Sequence, residues 1–338
     1  MPEPRSGEGA ATGRKYAHGV SEPVPQVSVV VPTHDRPERL AALLAGLRSQ
    51  TIAPEAFEVI VVDDGSLTPG TLAVLAEEMG RGALRLRSVR HPTARGTAGG
   101  RNSGWRVARA PLVAFTDDDC VPEASWLSEA LAVSGRHPGA IVQGRTEANP
   151  SELGRRGVFS RTISVEALGP QYEACNIFYP RELLERVDGF DETFGPFSAG
   201  EDTDLAWRAL EAGAQTAFAP DAVVFHAVHE LGPLRTLREA MRLNQTALVF
   251  ARHPETRVML NRRLFWNGWH YLVIRSIVAL ALPGPVRRFL LARHALQLAA
   301  RAREAGAGPW VVPFLLLYDA IETAAVARGG LRYRTFVL

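Results

Sequence analysis

Three consecutive carboxylates follow a short apolar run in the middle of the chain. The run is Leu112–Phe115, and the acids are Asp117, Asp118 and Asp119. Such a run is typical of a buried strand, and ligands of a parallel α/β sheet bind just beyond the carboxyl ends of its strands. Mg²⁺ or Mn²⁺, which take oxygen ligands and often bridge to phosphates, would relieve the repulsion among three adjacent carboxylates. The alternative is a solvated acidic turn or a helix N-cap before Pro122.

Two further groups of residues could take part in chemistry. Glu201 and Asp202 follow Gly200 at the start of a helical pattern, where acids serve as ordinary helix caps or where Asp202 could act as a general base. His226 ends a strand pattern, and His229 lies close by in the sequence. A histidine in that position is commonly structural, but beside a cation site it is a candidate ligand.

Alternating strand and helix patterns must position these residues. We expect strands beginning at Val27, Glu58, Leu84 and Leu112, separated by helical segments. The first helix should begin near Pro37, with apolar residues at helical spacing. Further helices are expected over about 71–79, from the Gly-rich segment through Trp105 and Val107, and near 124–135. A strand is expected at 140–145. The alternation predicts a parallel sheet flanked by helices.

Several common motifs are absent from the sequence. No G-x-G-x-x-G follows the first strand, and there is no G-x-x-x-x-G-K-[ST], no H-E-x-x-H and no G-x-S-x-G. A classical dinucleotide fold, a P-loop, a zincin and a hydrolase elbow are therefore not expected. The arginines do not alternate with aromatic residues, so we expect no nucleic-acid partner.

Charge divides the 338 residues into two parts. The net charge is only +2. Residues 1–230 contain 22 Lys and Arg against 31 Asp and Glu, whereas residues 231–338 contain 16 against 5. This asymmetry indicates that the acidic part, residues 1–230, binds a cation and that the basic part, residues 231–338, faces an anionic partner. Residues 1–25, rich in Gly, Pro and charge and without an apolar h-region, are interpreted as a disordered leader.

From Leu231 onward the pattern becomes helical. Residues 232–253 read as one amphipathic helix that carries Arg235, Arg238 and Arg242. Two apolar stretches follow, but polar residues interrupt both, so no clean transmembrane helix is predicted. We expect residues 231–338 to pack on the preceding domain or on a second subunit, forming a homo-oligomer. The alternative is peripheral contact with an anionic membrane that carries a lipid-linked acceptor.

Six short sequence motifs, in the order in which they occur along the chain, resemble those of the family 2 glycosyltransferases of the GT-A fold. They are VSVVVPTHDR, EVIVVDDGS, GGRNSGW, AFTDDD, VDGFDETF and GEDTDLAWR, and they span about residues 27–230. The resemblance implies an α/β GT-A-type nucleotide-sugar-binding domain over 26–230, with a mostly parallel central sheet. A mainly α-helical C-terminal region, 231–338, follows it.

The resemblance also implies roles for individual residues. Asp202 would be the catalytic base, and Asp119 the metal ligand, with His226 as a further ligand. Asp117 and Asp119 look like the D-x-D pair, Asp117 at the ribose. The residues expected to bind the nucleotide sugar are Pro32, Thr33, Asp35, Asp64, Arg95, Arg101, Asp117, Asp118 and Glu201.

The function implied is an inverting, metal-dependent transfer of a sugar from a nucleotide-diphosphate sugar, with UDP as the expected nucleotide and Mn²⁺ or Mg²⁺ as the cofactor. The acceptor is a hydroxyl of a glycan, a glycolipid or a natural product. The alternatives are a nucleotidyltransferase and a catalytically inactive sugar-nucleotide-binding scaffold. Cys120 and Cys175 form no metal-type pair, and a reduced cytoplasmic setting, peripheral to the inner membrane face, is expected.

Overall fold

The computed structural model describes residues 23–195 and 199–338. Most of the expected leader, residues 1–22, lies outside the described residues. The strands are β1 (Val27–Thr33), β2 (Phe57–Asp63), β3 (Leu86–Arg90), β4 (Leu112–Thr116), β5 (Cys120–Pro122), β6 (Ile141–Ala148), β7 (Ser160–Arg161), β8 (Asn176–Pro180), β9 (Thr216–His226) and β10 (His229–Glu230).

The helices alternate with the strands in the first two-thirds of the chain and dominate the last third. They are α1 (Pro37–Arg48), α2 (Gly70–Arg81), α3 (Gly96–Val107), α4 (Trp126–Arg136), α5 (Arg181–Val187), α6 (Glu201–Glu211), α7 (Gly232–Arg242), α8 (Thr246–Arg252), α9 (Gly268–Ala279), α10 (Gly284–Glu304) and α11 (Val312–Arg332). The expected early elements are confirmed within a few residues.

Eight strands form one sheet in the order β3-β2-β1-β4-β8-β6-β9-β5. The neighbours β3, β2, β1 and β4 are parallel, as predicted. β8 is antiparallel to both β4 and β6, and β5 is antiparallel to β9. The fold class is therefore confirmed as a mixed α/β protein with a mostly parallel sheet. The carboxyl ends of β1, β2 and β4 lie together at one edge, because their registers are aligned.

The sheet separates two buried layers. Successive residues of a strand point to opposite faces, so Val29 and Val31 pack with α1 and α4, whereas Val30 packs with α3 and α6. The apolar residues of α1 predicted to face the sheet, Leu40, Leu43, Leu44 and Leu47, are all fully buried. Helix α3 lies so close to the sheet that a Cβ at Gly104 would approach Val30 Cγ1 to 2.3 Å.

The region after Leu231 is helical, as expected, but its first helix is interrupted. A 3₁₀ turn, Leu243–Gln245, separates α7 from α8 where one long helix was predicted. By length and composition one helical stretch, Pro309–Arg332, could cross a membrane, with 39% of its most apolar window buried. A helix in a protein core passes the same test. Asp319 and Glu322 of this stretch are buried and paired with Arg301 and His270.

Candidate active site

A cleft of about 830 Å³ opens at the carboxyl ends of β1, β2 and β4. Several parts of the chain line it, including the start of α3 and the segment 161–173. The sheet edge contributes Pro32, Thr33, Asp64 and Asp117–Asp119, the start of α6 contributes Glu201 and Asp202, and the C-terminal region contributes Leu243, Thr246, Phe250, Met259 and Trp266. The structure therefore brings the acidic triplet and Asp202 together around one cleft.

Each carboxylate of the acidic triplet accepts a hydrogen bond from at least one side chain. Asp117 accepts a hydrogen bond from Arg101 Nη2 at 2.7 Å. Asp118 accepts one from Thr33 Oγ1 at 2.8 Å, and Arg36 Nη1 donates to Asp118 at 3.0 Å and to Asp119 at 2.9 Å. Burial raises the pKa of Asp118 to about 6, although Arg36 opposes the rise. Two arginines thus offset part of the charge of these adjacent carboxylates.

Asp119 forms a cluster with His226 and His229. One potential ligand atom from each residue lies within 4.8 Å of the others. Asp119 Oδ2 lies 2.8 Å from His229 Nε2, and Asp119 Oδ1 lies 3.6 Å from His226 Nε2. Burial opposes ionisation of Asp119, but the hydrogen bond from His229 and the charges of His226 and Arg36 hold its pKa below the usual range.

The orientation of His226 suits a cation. Its Nδ1 lies 2.8 Å from the carbonyl oxygen of Ala227. A carbonyl can only accept, so Nδ1 carries a proton, and Nε2 is the ring nitrogen that faces Asp119. Asp119 Oδ1 is buried and has no hydrogen-bond partner among the described residues. A carboxylate oxygen and an imidazole nitrogen that face each other in this way fit a metal ion, and imidazole with carboxylate is a common donor set for a divalent metal.

The start of α6 also lines the cleft. Glu201 is only 5% exposed, accepts a hydrogen bond from Thr97 Oγ1 at 3.0 Å, and lies 3.4 Å from Arg101 Nη1. Burial, with the nearby charge of Asp202, raises the pKa of Glu201 to about 7. Asp202 Oδ2 accepts a hydrogen bond from the backbone N–H of Ala174 at 3.0 Å, which fixes the direction of this carboxylate.

Three of the expected nucleotide-binding residues make local contacts instead of pointing freely into the cleft. Asp64 lines the cleft but accepts hydrogen bonds from the N–H groups of Arg95 and Gly96, at 2.8 and 2.7 Å, which caps α3. Asp35 accepts hydrogen bonds from the N–H groups at positions 67 and 68. The side chain of Arg95 pairs with Glu192 at 2.7 Å. Asp35 and Arg95 are not among the cleft-lining residues, and their roles stay predictions.

Sequence reasoning missed two contributors to the acidic cluster. Arg36 directly follows Asp35, shortly after the first strand. A basic side chain at this position could have been expected to face the three acids. His229, three residues after His226, was noted but given no role. The C-terminal contribution to the cleft carried no motif, because it depends on how α8 and the segment before α9 pack on α6.

Comparison with known proteins identifies the family of this chain. The family model for glycosyl transferase family 2 matches residues 28–198. A pre-mycofactocin glycosyltransferase of Mycobacterium tuberculosis is 30% identical over 248 residues, which are 68% of this chain and 48% of that protein. A validoxylamine A glucosyltransferase of Streptomyces hygroscopicus subsp. limoneus is 30% identical over 247 residues, 63% of this chain and 54% of that protein. The chain spans about half the length of these two relatives.

Solved structures share the fold at lower identity. The mannosyltransferase PcManGT from Pyrobaculum calidifontis, in complex with GDP-Man and Mn²⁺, superposes with a TM-score of 0.64 at 23% identity and covers 89% of this chain and 87% of its own. TarS 1–349 of S. aureus, in complex with UDP-GlcNAc, has a TM-score of 0.53 at 19% identity and covers 92% of both chains. These likenesses show the fold alone. By the family match and the curated relatives, the chain belongs to glycosyl transferase family 2.

Proposed function

We propose that this protein transfers a sugar from a nucleotide-diphosphate sugar, with UDP as the expected nucleotide, to an acceptor hydroxyl, with inversion at the anomeric carbon. The observation that carries the proposal is one cleft lined both by the acidic triplet and by Asp202. Residues 26–230 would form the catalytic domain, and residues 231–338 would complete the acceptor side. Family membership favours glycosyl transfer over nucleotidyl transfer.

In the proposed reaction Asp202 is the general base. The acceptor oxygen forms a bond to the anomeric carbon as the bond from that carbon to the diphosphate breaks, and the electron pair leaves with the diphosphate. The acceptor proton passes to the carboxylate of Asp202. The Ala174 N–H holds that carboxylate in place, so little reorientation is needed at the moment of transfer.

A divalent metal fits the Asp119 cluster. Asp119, His226 and His229 would hold Mn²⁺ or Mg²⁺, which supplies positive charge for the diphosphate that develops on the leaving group. Asp117 and its partner Arg101 would bind the donor, and Thr33 and Arg36 would keep Asp118 in position beside them. Pro32, Asp64 and Glu201 line the same cleft and are proposed to contact the donor.

Nucleotide binding tests the proposal. We would measure the melting temperature with UDP, GDP and other nucleoside diphosphates, each with Mn²⁺, Mg²⁺ or EDTA. A ligand that binds only the folded state raises the melting temperature by mass action. We expect a shift that requires the cation and that is lost in Asp119→Asn, largest with UDP.

Asp221→Asn, a carboxylate outside the cleft lining, is the matched control. Absence of a shift with any nucleoside diphosphate, in a protein that melts cooperatively, would overturn the proposal. A shift with GDP instead of UDP would correct only the expected nucleotide.

A further inference from the structure

One side of the cleft is apolar. Leu243, Val249, Phe250, Met259 and Trp266, here called the apolar wall, all belong to the C-terminal region and all line the cleft. Val249 and Phe250 are almost fully buried, whereas Leu243, Met259 and Trp266 are only partly buried. The cleft therefore presents the remaining surface of three apolar side chains beside its charged residues.

The apolar wall is packed against the C-terminal region. The ring of Trp266 packs edge-on against Phe250, with centroids 6.1 Å apart. The backbone N–H of Trp266 donates to the carbonyl oxygen of Leu338 at 2.7 Å. Phe250 in turn packs with Leu260 and Val326 in a separate hydrophobic cluster. A surface already ordered in this way binds a ligand without a further cost of ordering its own side chains.

The apolar wall adjoins the proposed base. A Cβ at Gly200, two residues before Asp202, would approach Val249 Cγ2 to 2.6 Å and Thr246 Cα to 3.9 Å. Helix α8 therefore packs directly on Gly200, the residue that immediately precedes α6. Anything that presents a hydroxyl to Asp202 from this side must also lie close to the apolar wall.

The donor has no evident use for this surface. A nucleotide-diphosphate sugar is polar and charged, and the cleft offers Arg101, Asp117 and Asp119 to it. Arg161, Glu239 and Arg242 also line the cleft, and both arginines approach the one carboxylate of Glu239, Arg242 at 2.7 Å and Arg161 at 3.5 Å. The apolar wall therefore remains for the second substrate.

We propose that the acceptor carries an apolar group, aromatic or alkyl, next to its reactive hydroxyl and that the apolar wall binds this group. The inference rests on the proposed function, because it needs Asp202 to face an acceptor. Removal of apolar surface from water drives the binding. The chemical class is an apolar alcohol or the glycoside of an apolar aglycone.

Calorimetric titration with methyl, phenyl and n-hexyl glucosides tests the inference, with the nucleoside diphosphate and the cation already bound. We expect the phenyl and hexyl compounds to bind at least about tenfold more tightly than the methyl compound. Tenfold corresponds to about 1.4 kcal/mol, less than two fully buried methylene groups supply. The ratio of the phenyl to the hexyl affinity distinguishes an aromatic from an alkyl aglycone.

Three variants locate the effect. Trp266→Ala should remove most of the preference, Trp266→Phe should keep it, and Trp310→Ala, at an exposed site away from the cleft, should leave it unchanged. Cooperative thermal unfolding shows that each variant is folded, and its nucleotide affinity is measured separately. Equal affinity for the three glucosides, including none measurable, would overturn the inference, and so would a preference that survives in Trp266→Ala.

Two results separate this inference from the proposed function. A drop in nucleotide affinity in folded Trp266→Ala would assign the wall to the donor and overturn the inference alone. Failure of the unaltered protein to bind any nucleoside diphosphate would instead overturn the proposed function, and this inference with it.

Discussion

Arg101 is the buried cation that joins two acidic stretches far apart in the sequence. Its side chain is 4% exposed and reaches Asp117 at 2.7 Å and Glu201 at 3.4 Å. Its guanidinium also lies over the ring of Phe190, 5.4 Å from the centroid. The nearby acids raise the pKa of Arg101 despite its burial, so it stays charged. One residue therefore holds the end of β4 against the start of α6.

We predict that Arg101→Met destabilises the protein by about 3 kcal/mol, because removal of one partner leaves buried carboxylates without their cation. Nucleotide affinity should also fall by tenfold or more. Urea unfolding and nucleotide titration measure the two effects. Arg101→Lys, which keeps the charge but not the fork geometry, should recover part of both. An Arg101→Met protein with normal stability and affinity would contradict this role.

At the scale of elements, side chains at the end of α8 hold α6 in place. Asp204 is fully buried and accepts hydrogen bonds from Arg208 Nε at 2.8 Å, Arg252 Nη1 at 3.0 Å and His253 Nε2 at 3.2 Å. Burial opposes its ionisation, but these donors hold the pKa of Asp204 at about 2. Arg252 and His253 lie at the end of α8, so this cluster ties the C-terminal region to the helix that carries Asp202.

The Asp204 cluster predicts a pH-dependent mutant. The carboxylates of Asp204 and Glu211 raise the pKa of His253, although burial opposes them. A raised histidine pKa adds stability that is fully present below the unfolded value of about 6.5 and is lost as the pH rises through the folded value. We expect His253→Gln to cost about 1–2 kcal/mol at pH 6 and clearly less at pH 9. Denaturant unfolding at the two pH values checks this, and an equal cost at both would contradict it.

A second prediction concerns Gly200 and the packing of α6 on α8. Gly200 has φ +114° at the start of α6, and a Cβ there would meet Val249. Gly200→Ala must move α6 or α8, so we expect turnover of the donor to fall about tenfold or more. Gly213→Ala is the matched control, because Gly213 has φ +89° but nothing lies within 4 Å of its Cβ. Equal effects of the two substitutions would show that backbone strain, not the contact with Val249, is responsible.

The elements predictable from sequence are those with a local pattern. Apolar runs, turn residues and helical spacing predict strands β1, β2 and β4, helix α1 and the acids after β4. Each of these signals is contained within a few neighbouring residues of the sequence. The insertion of β8 between β4 and β6 depends on pairing across more than 30 residues and leaves no periodic signal. The break between α7 and α8 and the place of Arg36 beside Asp119 likewise come from tertiary contacts.

At the scale of the whole molecule, pairs of buried or partly buried polar side chains join the last three helices. Asp319 of α11 is fully buried and accepts a hydrogen bond from Arg301 of α10 at 2.8 Å. Glu322 of α11 lies 3.0 Å from His270 of α9. These charges pair within the protein, which favours packing as the role of α11. Contact of the basic C-terminal region with an anionic membrane stays a prediction, which flotation with anionic vesicles at low and high salt would test.

Arg301→Met should destabilise the protein by about 3 kcal/mol at pH 8, because it leaves Asp319 buried without a cation. Burial already raises the pKa of Asp319. A carboxyl with a raised pKa tolerates burial better when protonated, so the loss should shrink as the pH falls toward 5. Urea unfolding at pH 8 and pH 5 measures both values. A loss below about 1 kcal/mol at pH 8 would contradict the account of these helices.

Asp202→Asn tests the central claim most directly. The substitution keeps the size of the side chain but removes the base, and loss of a positioned general base costs about 10²–10⁴ in rate. The measurement is the rate of sugar transfer from the donor identified by nucleotide binding, together with the affinity for that nucleotide in the same protein. We predict a rate lowered by about 10²-fold or more with nucleotide affinity unchanged. Transfer at close to the unaltered rate would contradict the assignment of Asp202 as the base.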